Sequence, residues 1–143
     1  MPALYNSKHG TVSRSSFELY MAFVDMRNFV QMLPEDKRAD VTADYDSIKA
    51  TVQGFSIGIR VKQRVPYSLL SFEDDGAPFK FELNFHFDQA ADPSKTDFYI
   101  DASADLNLVM KAMLGSRVQQ ALDRIVDSMV DASEGRMPKD FKL

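Results

Sequence analysis

The sequence predicts an α+β fold in which an antiparallel sheet packs against one long C-terminal helix, with two short helices after the first strand. Three observations carry this. Phe79, Phe81, Leu83, Phe85 and Phe87 alternate with Lys80, Glu82, Asn84, His86 and Asp88, the period-2 signature of a strand with one packed and one wet face. Short turn clusters such as Asp74-Asp75-Gly76-Ala77-Pro78 and Asp92-Pro93-Ser94 separate consecutive strands, leaving no room for parallel crossovers. From 108 to 132 the period becomes helical, with Met110, Leu114, Val118, Ala121, Leu122, Ile125 and Met129 on one stripe.

The elements follow in order. Residues 4–13 read as a first strand, weakened by Gly10. Ser15-Ser16-Phe17-Glu18 has capping-box spacing. It opens one or two short helices over 16–33 that carry Phe17, Tyr20, Met21, Val24, Met26, Phe29 and Val30 and join near Asp25. Pro34 disfavours helical geometry at Leu33, and Glu35 to Arg38 reads as a loop. Short strands are expected at 41–43 and 48–53, around the turn-prone Asp44–Ser47. Then Phe55, Ile57, Ile59 and Val61 face one way, and Ser56, Gly58, Arg60 and Lys62 the other. Leu70 and Phe72 share a face of the next strand, over 67–73. Phe98, Ile100 and Ala102 point inward from the last strand, over 97–104. Asn107 caps the long helix, Gly115 marks a bend or a close neighbour, and Gly135 sits where a terminator belongs.

Composition excludes several classes. A chain of 143 residues has the length of one domain, with a core expected over 4–133 and a tail at 134–143. It has no cysteine, so disulfides, thiolate metal sites and a cysteine nucleophile are out. The net charge of −4 is a poor footing for nucleic acid. No run approaches the ~18 apolar residues of a membrane span, and no secretory leader is expected, since no basic, apolar, small-residue stretch runs from residue 1 onward. A cytoplasmic protein without stable membrane insertion is expected.

The order of elements closely resembles the SRPBCC or START-like superfamily, which includes lipid-transfer START domains, the birch-pollen-allergen family and polyketide cyclases. The resemblance covers residues 4–133. It is carried by Ser15-Ser16-Phe17-Glu18-Leu19-Tyr20, Val24-Asp25, Leu33-Pro34 and the 108–132 helix. Asn28 to Asp36 (NFVQMLPED) looks like uncharacterised bacterial members. The resemblance implies a helix-grip fold, a curved sheet wrapped around the long helix with a cavity between them. The glycine-rich loop of the pollen-allergen branch has no match between Ala43 and Gln53.

On that reading Phe55, Ile57, Ile59, Leu70, Phe72, Phe81 and Phe85 line the cavity opposite Met110, Leu114 and Met129. Arg117 at the edge of the helix stripe, and Gln63 on the inward register, are candidate polar anchors. The alternative for the aromatic row is ordinary core, and for Arg117 a stem laid on the core with its head in water. Phe85 lies mid-strand, where such a cavity is deepest, so Phe85→Ala is expected to cost little stability.

Arg60, Lys62 and Arg64 are expected on the wet face, paired with carboxylates across strands. His9 and His86 fit no zinc spacing, Asp97, Asp101 and Asp105 read as solvated surface, and no metal or cofactor is expected. No G-x-S-x-G elbow, phosphate cradle or Ser–His–Asp arrangement is legible.

The function expected is non-catalytic binding or transport of a hydrophobic small molecule or lipid. Two readings stand beside it: a protein-interaction module of the chaperone-associated kind, and a cyclase- or aromatase-type enzyme. The enzyme reading lacks titratable groups on the inward registers, Tyr20 being the one readily named. A homodimer has no sequence signature.

Overall fold

The first and last strands of the sheet lie side by side, and that pairing sets the architecture. In the computed structural model, which describes residues 3–32, 35–52, 55–77 and 79–135, β1 (Ala3–Asn6) and β2 (Gly10–Val12) both run antiparallel to β8 (Thr96–Ala104). The remaining strands form a meander: β3 (Val41–Ala43), β4 (Ser47–Val52), β5 (Phe55–Val65), β6 (Leu69–Asp74) and β7 (Phe81–Gln89), each antiparallel to the next. The sheet order is β1-β8-β7-β6-β5-β4-β3, with β2 beside β8. Gln53 at the end of the expected 48–53 strand, the expected helix end at Leu33–Pro34, Pro78 in the expected turn, and most of the expected tail lie outside the described residues.

The expected first strand is split in two at Ser7. There the backbone N–H donates to Ile100 O at 2.8 Å, while the hydroxyl oxygen accepts from Ile100 N–H at 2.8 Å. The side chain thus takes the place of a ladder carbonyl in a buried position, where an unpaired amide is costly.

Helix α1 (Ser16–Phe23) begins at the capping serine: Ser15 Oγ accepts from Glu18 N–H at 3.2 Å and donates to Glu18 Oε1 at 3.1 Å. A turn at Asp25 leads to α2 (Arg27–Met32). The charged stretch read as a loop is instead a single helical turn, α3 (Glu35–Arg38), against β3. Its acidic first turn, Glu35 and Asp36, suits the positive end of a helix.

Helix α4 (Leu108–Ser133) is capped by Asn107, whose Oδ1 accepts from Met110 N–H at 2.8 Å. It ends before Gly135, which adopts a φ of 79°. It packs on β1, β2 and β8. Polar ties hold it there: Lys8 N–H to Asp123, the Lys8 ammonium to Asp127, Gln119 to Asn6 O, and Ser13 N–H to the Ser133 hydroxyl. The helix therefore grips one edge of the sheet rather than its middle.

The core sits between α1, the C-terminal half of α4 and the strands β6 to β8. Phe23, Met26, Leu70, Phe87, Phe98, Ile100, Val12 and Val126 are all fully buried. Phe23 is in ring contact with Phe29, Phe85 and Phe87, and Tyr20 meets Phe87 edge-on at 6.2 Å. Such offset and T-shaped pairs add to what area burial contributes.

Candidate functional site

The inner face of the sheet is built in rows by the strand register. One row runs Val61, Phe72, Leu83, Ala102, and another runs Ile59, Asp74 on one side and Phe81, Ala104 on the other. Where α1 covers the sheet the rows are dry: Leu70 and Phe72 are buried, and Phe85 is 6% exposed with the rings of Phe72, Phe98 and Phe23 at 5.0, 5.7 and 6.4 Å.

Toward the other end the apolar rows are not filled. Ile57 is 38% exposed on the inner register, and Ile59, Val61, Leu83 and Phe81 are only partly buried. Met110, Leu114 and Val118 on the facing side of α4 are partly buried too. Because α4 lies over β1, β2 and β8, among the described residues it leaves Ile57 and Ile59 at the start of β5 incompletely covered, and the inner face there is an apolar trough. At this end an open groove of about 740 Å³ is lined by Arg60, Glu73, Asp74, Lys80, Phe81, Glu82, Ser103 and Asp105. Phe81 and Asp74 sit on the inner register and the others on the outer face or beyond the strand end. The groove thus opens mainly on the polar outer face and meets the apolar rows only at Phe81 and Asp74.

The residues expected to line a cavity fall into three places. Leu70, Phe72 and Phe85 are core; Ile57, Ile59, Phe81, Met110, Leu114 and Met129 are partly exposed; Arg117 is exposed on α4. Phe55 opens β5, and its side chain lies outside the described residues.

A bulge changes the polar anchors. The β5–β6 register shifts between Val61 and Gln63, so Lys62 is the extra residue and everything after it changes face. Gln63, expected inward, pairs with Ser71 on the outer face and is exposed. Arg64, expected on the wet face, pairs with Leu70 on the inner register. Its guanidinium donates to Val24 O from Nε (3.2 Å) and Nη2 (3.0 Å), to Tyr45 O from Nη2 (2.9 Å) and to Asp46 Oδ1 from Nη1 (2.8 Å). It also lies 4.2 Å from the centre of the Tyr45 ring. Nothing local in the sequence signals this, since strict alternation would place the apolar Val65 inward. Burial pushes the nearby Tyr20 hydroxyl above the usual phenol range, and the Arg64 charge opposes that shift.

The outer face is polar and paired. Arg60 meets Glu73 at 3.2 Å and Lys62 meets Glu82 at 2.6 Å. Ser71, His86 and Asp101 all lie on this face but form no nucleophilic relay: the Ser71 hydroxyl donates to Asn84 Oδ1 (2.6 Å), Asn84 donates to Asp101 Oδ1 (2.7 Å), and His86 Nε2 bonds Asp101 Oδ2 (2.6 Å). A relay needs the serine on the histidine. His9 and His86 stack on either side of Tyr99, at 4.1 and 4.4 Å between ring centres, and His9 bonds Asp97 at 3.0 Å. Burial, then a hydrogen bond with Asp88, raises the Tyr99 hydroxyl. Among the described residues no cluster of three or more His, Asp or Glu groups is arranged to hold a metal ion.

A curved antiparallel sheet gripping a long C-terminal helix, with short helices after the first strands, is a helix-grip α+β fold. No family profile and no curated protein matches the chain. Solved structures do. The fold is similar to norcoclaurine synthase from Thalictrum flavum, with a TM-score of 0.66 at 8% identity over 92% of this chain and 86% of that one. It is similar to a START superfamily protein from Mycobacterium smegmatis, TM-score 0.56 at 15% identity, covering 88% and 98%. It is also similar to the Aha1 dimer from Colwellia psychrerythraea, TM-score 0.62 at 13% identity, covering 92% and 96%. At these identities the likeness is one of fold.

Proposed function

We propose that this domain, taken as one unit over 4–133, binds a hydrophobic small molecule or lipid in the trough between α4 and β5, without chemistry of its own. The observation that carries the reading is incomplete burial on the inner face: Ile57, Ile59, Val61, Leu83 and Phe81 share the inner register yet stay partly exposed. Apolar area left wet beside a dry core is area a ligand can cover, at about 25 cal/mol per Å² before ordering costs. On this reading Ile57, Ile59, Phe81, Met110 and Leu114 wall the trough, Arg117 stands at its margin, and Leu70, Phe72, Phe85 and Met129 belong to the packed core beside it.

Fold alone does not separate binding from catalysis, and one neighbour is named as a synthase. The non-catalytic reading is supported by the use already made of the polar groups on the inner face. Four of the five Arg64 N–H donors are engaged, and Asp74 accepts from Phe81 N–H at 3.2 Å. A cytoplasmic setting belongs to the proposal and rests on the cysteine-free composition; no helix among the described residues is long and apolar enough to cross a membrane.

Native mass spectrometry of freshly purified protein, with uptake of 1-anilinonaphthalene-8-sulfonate, tests the reading. Co-purifying mass or saturable uptake is expected. A bare chain that takes up no probe overturns it.

A second reading, docking of a protein partner or a second copy, is favoured by one feature. Leu108, Val109 and Met113 on the first turns of α4 are 84%, 66% and 67% exposed, and contiguous exposed apolar surface marks interaction sites. A similar fold occurs in a protein solved as a dimer. Sedimentation of wild type against Met113→Glu separates the two readings.

A further inference from the structure

We propose that Arg64 is the positioning residue that holds the α2–α3 arm down on the β3–β5 side of the apolar trough, so that its release opens a side entrance. The entrance rests on the ligand-binding reading above; the attachment does not.

Among the described residues the arm makes few buried apolar contacts of its own. Helices α2 and α3 are 6 and 4 residues long, far below the ~12–15 residues at which an isolated helix becomes marginal. Gln31, Glu35, Asp36 and Arg38 are exposed, whereas Met26 and Phe29 at its root reach the core. It lies over β3, whose Val41 is buried beneath it. Segments with few buried apolar contacts are the first to open locally.

The root is where Arg64 acts. Val24 is the C-cap of α1, just past its last residue, and a carbonyl there has no partner within the helix. Arg64 supplies two donors to it, and a cation at a helix C-terminus also meets the negative end of the dipole. With the same nitrogen Arg64 bonds Tyr45 O, which in turn accepts from Met26 N–H at 3.2 Å. Asp46 closes the ring of contacts: its carboxylate takes Nη1, and its carbonyl accepts from Val61 N–H at 2.8 Å. One planar fork therefore joins the α1–α2 junction, the β3–β4 turn and β5. The bulge at Lys62 is what turns the fork inward. An ammonium cannot reproduce such a fork.

The test compares wild type, Arg64→Gln and Arg64→Lys by hydrogen exchange and by stopped-flow binding of 1-anilinonaphthalene-8-sulfonate. Amide exchange over 26–32 and 44–46 is expected to quicken at least about tenfold in both variants, with β7 and β8 unchanged, as local opening requires. Probe association and dissociation are both expected to rise about tenfold with Kd altered less than about twofold, because an easier entrance speeds both directions alike. Exchange that quickens equally in every strand, or nowhere, overturns the attachment. Unchanged probe rates with faster arm exchange overturn the entrance. A wild type that takes up no probe overturns the ligand reading and the entrance with it, while arm exchange still decides the attachment. If Arg64→Gln does not fold, Arg64→Lys decides by the same readings.

Discussion

Gly10 of β2 lies directly against Val126 of α4: a methyl group on Gly10 would stand 2.7 Å from Val126 Cγ1 and 2.8 Å from Val130 Cγ2. The glycine that weakens the first strand in the sequence is the contact that lets the gripping helix approach the sheet. Gly10→Ala is expected to destabilise the fold by about 1–3 kcal/mol through overpacking. Val126→Ala alone leaves a void in the core, so the double variant Gly10→Ala/Val126→Ala should be less destabilised than the two single losses combined. Urea unfolding of the three variants measures this, and strict additivity would show that the two positions do not share the space.

Phe85 and Ile57 separate packing from binding. Three aromatic rings surround Phe85, so we expect Phe85→Ala to cost about 3–5 kcal/mol, more than its mid-strand register alone suggested. Ile57 faces the same side but is partly wet, and Ile57→Ala is expected to cost less than about 1.5 kcal/mol while weakening probe binding several-fold. Thermal unfolding paired with dye titration on both variants checks the contrast. An Ile57 variant that loses stability and keeps full binding would remove it from the trough.

Acid should loosen the turns first. Asp44 accepts from the Ser47 hydroxyl and the Ser47 and Asp46 amides, and these bonds hold its carboxyl below the usual carboxylate range. Asp92 is held low in the same way, by the Ser94 hydroxyl and then the Ser94 amide. A carboxylate with a depressed value in the folded state adds stability that is complete above its unfolded value, about 3.9. That stability is lost as pH falls through the lower folded value. The double variant Asp44→Asn/Asp92→Asn should therefore show a shallower loss of stability than wild type between about pH 4 and pH 2, measured by chemical unfolding at each pH. Parallel curves would mean that neither turn gains from the ionised form.

The residues by themselves determined the strands, the long helix and their caps, because those depend on neighbours in the chain. Alternation from Phe81 to Phe87 can put its phenylalanines on only one face, and Asn107 and Gly135 bound α4 by bonds that span a few residues. The antiparallel meander followed from turns too short for anything else. Three matters were settled only by packing. The first strand divides because the Ser7 hydroxyl meets an amide 93 residues away. The extra residue at Lys62 is invisible to a period of two, yet it takes Gln63 out of the interior and puts Arg64 on the carbonyls of Val24 and Tyr45. Whether an inward phenylalanine or isoleucine becomes core or trough depends on how far α4 reaches across the sheet. Its polar ties to β1 and β2 hold it at one edge, so Phe85 is enclosed and Ile57 is left wet, a difference made by distance between elements rather than by either side chain.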